Sequence, residues 1–270
     1  MTEPIAVADV GGTHAPFALA EIADGRVISL GEPLTLKTAD HASFEMAWAE
    51  FGRQTGTALP DKLGMAFAGP VGGEVLTLTN NRWTIRPALF GQELGIARFK
   101  IVNDFGAVAH AVAQFGAGDF DHLCGPEGPL SPTGVTTIIG PGTGLGVAQL
   151  IKSDGDYQVV GTEGGHIDFA PLDALEDKIL DHLRHRFGRV SVERIAAGSG
   201  LANLYDALAA IEGRCVEQVD DEAIWAVALD GSDPLAIMAV DRFFVPGGAV
   251  AGDLARAQGA GAVVIAGGLG

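Results

Sequence analysis

Asp104 follows Asn103 directly at the end of the expected strand Phe99–Val102, where a buried strand meets the start of a helix. A carboxylate there can cap the helix, or it can take the proton of a substrate hydroxyl attacking phosphorus. The Asn103 amide both donates and accepts, which suits sugar hydroxyls. The run Gly161-Thr-Glu-Gly-Gly-His-Ile-Asp168 gathers Glu163, His166 and Asp168 in a glycine-rich loop. Hydrogen bonding to a polyhydroxylated ligand fits these groups, and a loop-based metal site is the alternative. Glu193, after Arg189-Val190-Ser191, can complete such a site or serve as a first-turn helix carboxylate. Asn80 and Asn81, beside Trp83, add amides and an aromatic wall.

Three glycine turns suit a phosphorylated ligand. Asp9-Val10-Gly11-Gly12-Thr13 joins strand to strand, unlike P-loop and dinucleotide glycine loops, which lead into a helix. It can be a plain hairpin, or it can bring backbone N–H groups up to phosphate oxygens. Asp9 can then hold Mg²⁺ directly or through water, and Thr13 offers a hydroxyl. Gly140-Pro-Gly-Thr-Gly-Leu-Gly146 carries four glycines in seven residues, more than a hairpin needs. Crowding of backbone against a ligand accounts for the excess around Gly142, Thr143 and Gly144. Gly267-Gly268 closes the apolar strand Val263–Ala266.

The elements that must carry these residues read as two similar halves. Ile5–Val10, Ala15–Ile22, Arg26–Leu30 and Pro33–Leu36 form a β-meander. Phe44, Ala47, Trp48 and Phe51 then mark a helix with Ser43 as N-cap. A strand at Leu63–Phe67, the strand before Asn103 and a helix over Phe105–Phe115 follow. Beyond the Gly-, Pro- and Asp-rich stretch Gln114–Thr133 the opening pattern recurs, with strands Val135–Ile139, Leu145–Ile151 and Tyr157–Val160 around the second glycine turn. Helices over Leu175–Phe187 and Leu201–Leu208 come next, and Val245-Pro-Gly-Gly248 breaks the later apolar stretch. The repetition predicts an internal duplication.

Composition narrows the classes. The 270 residues hold 17 Lys and Arg against 34 Asp and Glu, a net charge of −17. That field repels nucleic acid and anionic membranes, so neither is an expected partner. No apolar stretch reads as long enough to span a bilayer, and the N-terminus lacks a signal-peptide pattern. Two isolated cysteines, Cys124 and Cys215, fit a reducing cytoplasm.

The order Asp-Val-Gly-Gly-Thr-His at 9–14, Leu-Thr-Asn-Asn-Arg-Trp at 78–83 and Val-Asn-Asp-Phe at 102–105 resembles proteobacterial glucokinase. So do Gly-Pro-Gly-Thr-Gly-Leu-Gly at 140–146, Glu-Gly-Gly-His-Ile-Asp-Phe-Ala-Pro at 163–171 and Ser-Val-Glu-Arg at 191–194. The resemblance implies an α/β, two-lobed hexokinase/actin-like fold, each lobe a ribonuclease-H-like mixed sheet with helices, with a cleft between them. Its lobes are expected at 1–115 and 116–270, the second ending ahead of the family's C-terminal helices.

It implies ATP-dependent phosphorylation of D-glucose to glucose 6-phosphate, with MgATP as donor and a homodimer as assembly. Asp104 is then the catalytic base, and Asn103, Asp104, Glu163, His166, Glu193 and Asn80 bind sugar. Ala8, Asp9, Val10, Gly11, Gly12, Thr13, Gly142, Thr143, Gly144, Gly267 and Gly268 bind ATP, with Asp9 toward Mg²⁺. Pro16 departs from the family, which carries Arg there. The alternatives are another hexose kinase of this fold or a sugar-binding sensor without catalysis.

Overall fold

The computed structural model describes residues 2–78, 81–216 and 219–267. The chain forms two compact units, Met1–Ala107 and Val108–Gly270.

In the first unit, β1 (Glu3–Val10), β2 (His14–Ala23), β3 (Arg26–Leu30) and β4 (Leu34–Lys37) precede α1 (Phe44–Thr55) and β5 (Lys62–Phe67). The short β6 (Leu76–Thr77) and β7 (Thr84–Ile85), then α2 (Phe90–Leu94) and β8 (Arg98–Asn103), follow, and α3 (Asp104–Val112) begins in this unit and ends in the next. The main sheet runs β3-β2-β1-β5-β8, with β4 also on β2. Alternation places Ala6, Ala8 and Val10 of β1 and Leu63, Met65 and Phe67 of β5 inward. α1 lays Phe44, Ala47, Trp48 and Phe51 over them. Ser43 caps α1, accepting the Met46 N–H, and Gly56 ends it at φ 65°. Phe17 lies at the centre, its ring centroid 5.3 Å from Phe51 and 5.9 Å from Phe44.

In the second unit, β9 (Gly134–Pro141), β10 (Leu145–Ser153) and β11 (Asp156–Thr162) precede α4 (Ala174–Phe187), α5 (Glu193–Ala196) and α6 (Gly198–Ile211). Then come α7 (Asp221–Leu229), α8 (Pro234–Gln258) and β12 (Ala260–Ile265). The sheet runs β11-β10-β9-β12. In each unit a glycine turn joins the first two strands antiparallel, and the first strand pairs on its other side with a later parallel one, β5 or β12. This shared order is the topological content of the expected duplication.

Two expectations are corrected. The helix after Asp104 stops at Val112, not Phe115. The break expected at Val245–Gly248 is absent: α8 runs through Pro246 for 25 residues. Proline there removes one backbone N–H from the ladder, yet Pro246 is buried with Phe243, Val250 and Leu254, and packing holds the helix together. By length and hydropathy alone α8 is able to cross a membrane, although parts of it lie in the core.

Replacing Phe17 with Ala leaves a cavity where three aromatic rings meet. We expect a loss of about 3–5 kcal/mol in folding stability, read by urea denaturation.

Candidate functional site

The first glycine turn is held by its carbonyls. Gly11 N–H donates to His14 O at 3.0 Å, and Thr38 N–H to Thr13 O at 3.0 Å. Gly12 O accepts from Thr38 Oγ1 at 2.7 Å and from Asn81 Nδ2 at 2.8 Å. Ala8 and Val10, expected to line the nucleotide, are buried inside β1, which is paired with β5 at both residues and with β2 at Ala8. Asp9, next to the turn, is exposed as a residue, yet the protein around its carboxyl strips part of its hydration. That desolvation, ahead of repulsion from Asp104, raises its pKa above the usual carboxylate value.

Asn103 Oδ1 accepts the N–H groups of Phe105 at 3.0 Å and Gly106 at 3.2 Å, the geometry of an N-cap. The cap expected of Asp104 is thus supplied chiefly by its neighbour, and the Asn103 amide keeps its NH₂ for donation. Among the described residues, Asp104 Oδ1 accepts only the adjacent Phe105 N–H, at 2.8 Å. Asn80 lies outside the described residues. Asn81, expected beside it as a ligand amide, is occupied by Gly12 O and by the Trp83 N–H, which its Oδ1 accepts at 2.8 Å. Trp83 is no aromatic wall: it is buried in the core, and its indole N–H donates to His41 O at 2.9 Å.

The second unit brings Glu163, His166 and Glu193 together. His166 Nε2 lies 3.7 Å from Glu163 Oε2, and its Nδ1 3.9 Å from Glu193 Oε1. The other Glu193 oxygen accepts the Leu145 N–H at 3.0 Å, tying this cluster to the end of the second glycine turn. Among the described residues no group of three His, Cys, Asp or Glu is arranged to hold a metal ion, so the loop-metal reading finds no support. The glycines here serve close approach. A Cβ on Gly144 would lie 2.6 Å from Glu193 Oε2, and one on Gly165 would lie 2.2 Å from Leu145 O. Gly142 N–H donates to Gly144 O, and Gly142 O accepts from Gly198 N–H, both at 2.8 Å. Gly267, at φ 111°, passes over Pro141, where a Cβ would stand 2.8 Å from the carbonyl. Gly268 lies outside the described residues.

Sequence reasoning missed three supports. Arg189 donates to His166 O at 2.7 Å and pairs with Asp168 at 2.6 Å, bracing the histidine loop. Gly198 opens α6 against the second turn. Thr38 carries no local signal, since its partner is 26 residues away.

A protein-family model described as Glucokinase matches residues 6–270. The glucokinase of Zymomonas mobilis is 58% identical over 266 residues, covering 98% of this chain and 82% of that protein. The chain belongs to the glucokinase family. The crystal structure of a glucokinase from an Antarctic psychrotroph superposes with a TM-score of 0.81 at 31% identity, covering 98% of this chain and 83% of its own. A ROK-family glucokinase from Streptomyces griseus, solved with glucose and AMPPNP, matches with a TM-score of 0.61 at 22% identity, over 99% of this chain and 84% of its own, and shares the fold. The glucokinase family thus accounts for the two α/β units, as the sequence motifs implied.

Gly165→Ala forces the histidine loop off β10. We expect about 2–3 kcal/mol of lost stability in urea denaturation, since backbone rather than a movable side chain blocks the new methyl.

Proposed function

We propose that the chain transfers the γ-phosphoryl group of ATP to the primary hydroxyl of D-glucose, giving glucose 6-phosphate and ADP. Membership of the glucokinase family is the observation that carries this reading. The cluster of His166 between two carboxylates supports it locally, because alternating donors and acceptors suit neighbouring sugar hydroxyls. In this reading Glu163, Glu193 and His166 bind glucose, together with the Asn103 amide and, from the sequence alone, Asn80. Selectivity follows from unpaired groups: a sugar lacking one hydroxyl covers a polar partner without pairing it.

Asp104 accepts the hydroxyl proton as the oxygen attacks phosphorus in line. Because Asn103 already caps α3, that carboxylate is not required by the helix. The N–H groups of Gly11 and Gly142 close their own turns, so those of Gly12, Thr13, Thr143 and Gly144 are the ones assigned to the phosphates, and Gly267, with Gly268 from the sequence alone, to the adenosine. Mg²⁺ fits the oxygen donor of Asp9, whose carboxylate already feels the charge of Asp104; when bound it offsets negative charge on the phosphates. The proposal extends to a cytoplasmic enzyme, in keeping with two exposed free thiols at Cys124 and Cys215. It extends also to a homodimer, on the support of the family alone.

The test is ADP release with a panel of hexoses and phosphoryl donors. Glucose and ATP together should give turnover, and glucose binding without ADP release would turn the reading into that of a sensor. Asp104→Asn should lower kcat by about 10²–10⁴-fold while KM for glucose stays close to wild type. Near-normal turnover in that variant removes Asp104 from the chemistry.

A further inference from the structure

The Gly12 carbonyl is gripped from two distant directions, by the Thr38 hydroxyl and by the Asn81 amide. Both partners are themselves fixed. Thr38 is buried, follows β4 directly, and donates its own N–H to Thr13 O. Asn81 is anchored by the N–H of the buried Trp83. A trans peptide points its C=O and the next residue's N–H in opposite directions, and the described backbone contains no cis bond. Drawing Gly12 C=O toward Thr38 and Asn81 therefore sends the Thr13 N–H the other way. Thr13 is exposed, and among the described residues no backbone acceptor is paired with the N–H of Gly12 or of Thr13.

Glycine makes the grip necessary. Without a Cβ, the Gly12 peptide has little to resist rotating over, and a rotated peptide would present its oxygen where the N–H had been. An anion facing that position would lose a donor and meet the negative end of a dipole.

We infer that Thr38 and Asn81 are positioning residues for the phosphoryl donor, holding the Gly12–Thr13 peptide so that its N–H faces the phosphate chain of the nucleotide. The inference rests on the reading of this turn as a phosphate cradle. Neither residue touches the sugar or the nucleotide; each acts through the peptide it holds.

The test uses the full chain with Thr38→Val, Thr38→Ser and Asn81→Asp. Valine keeps the shape and the Thr38 N–H bond but loses the hydroxyl. Aspartate keeps an acceptor for Trp83 and replaces the donor facing Gly12 with an oxygen. In both, kcat/KM for ATP should fall roughly five- to tenfold, the worth of one hydrogen bond, with KM for glucose at saturating ATP unchanged. Thr38→Ser should restore wild-type values to within about twofold. Titration calorimetry should show ATP binding weakened and adenosine binding unaltered. Equal losses toward ATP and glucose, no loss at all, or weakened adenosine binding would overturn the inference. If Thr38→Val does not fold, Asn81→Asp and Thr38→Ser still decide it. If the wild type binds nucleotide but does not phosphorylate glucose, the functional reading fails while the calorimetric comparison still tests the grip.

Discussion

A chain with a net charge of −17 that handles a nucleotide triphosphate works against its own field, and its basic residues number only 17 in all. In the reading proposed above, the remaining sources of positive potential are Mg²⁺ and the backbone N–H, a partial charge that attracts only if its carbonyl is turned elsewhere. Both units meet this constraint alike. In the first turn Gly12 O is drawn off by Thr38 and Asn81; in the second, Gly142 O is drawn off by the Gly198 N–H. In each case a threonine follows the held glycine, Thr13 or Thr143, and its N–H is the one left pointing away. The same arrangement after the first strand of two β-meanders accords with the duplication expected from the sequence, and in the reading proposed above it gives each turn an outward N–H.

Close approach then dictates composition. The loop carrying His166 runs so near β10 that Gly165 meets the Leu145 carbonyl, while Glu193 fills the space a side chain on Gly144 would need. Glycine at these positions forfeits stability through the entropy of the unfolded chain. That loss is offset by compact cores: the aromatic cluster of Phe17, Phe44, Trp48 and Phe51 against the sheet of one unit, and the packing of α4, α6, α7 and α8 on one another in the other. Rigid elements hold the turns, and the turns hold the polar groups.

Where a residue's role depends on its immediate neighbours, it was legible in the sequence. Ser43 before an apolar 3.6-residue period announced α1, and alternation announced β5, because caps and pleats are local physics. The motifs around Asn103, Glu163 and Gly142 were legible as candidate sites, because glycine excess and clustered polar groups stand out in a sequence. Where tertiary packing overrides local preference, reading failed. Pro246 is a helix breaker by every local rule, yet α8 runs through it because one face, with Phe243, Pro246 and Val250, is buried. Trp83 beside two asparagines reads as a ligand wall, yet it is core. Thr38 gave no sign, since one threonine after a strand acquires meaning only from a carbonyl 26 residues away.

Asp9 shows what the site retains at a cost. Its folded pKa lies above the unfolded value, so the folded chain holds that proton more tightly. The stability this confers is present below the unfolded pKa and is lost as pH rises through the folded one. At neutral pH the ionised Asp9 is therefore a net burden on the fold, through lost hydration first and the nearby Asp104 charge second. A side chain selected for stability alone would be a neutral one. In the reading proposed above, two mutually repelling carboxylates beside a turn of outward-facing amides suit a hard cation and a polyanion that arrive together, each neutralising what the protein alone leaves unbalanced.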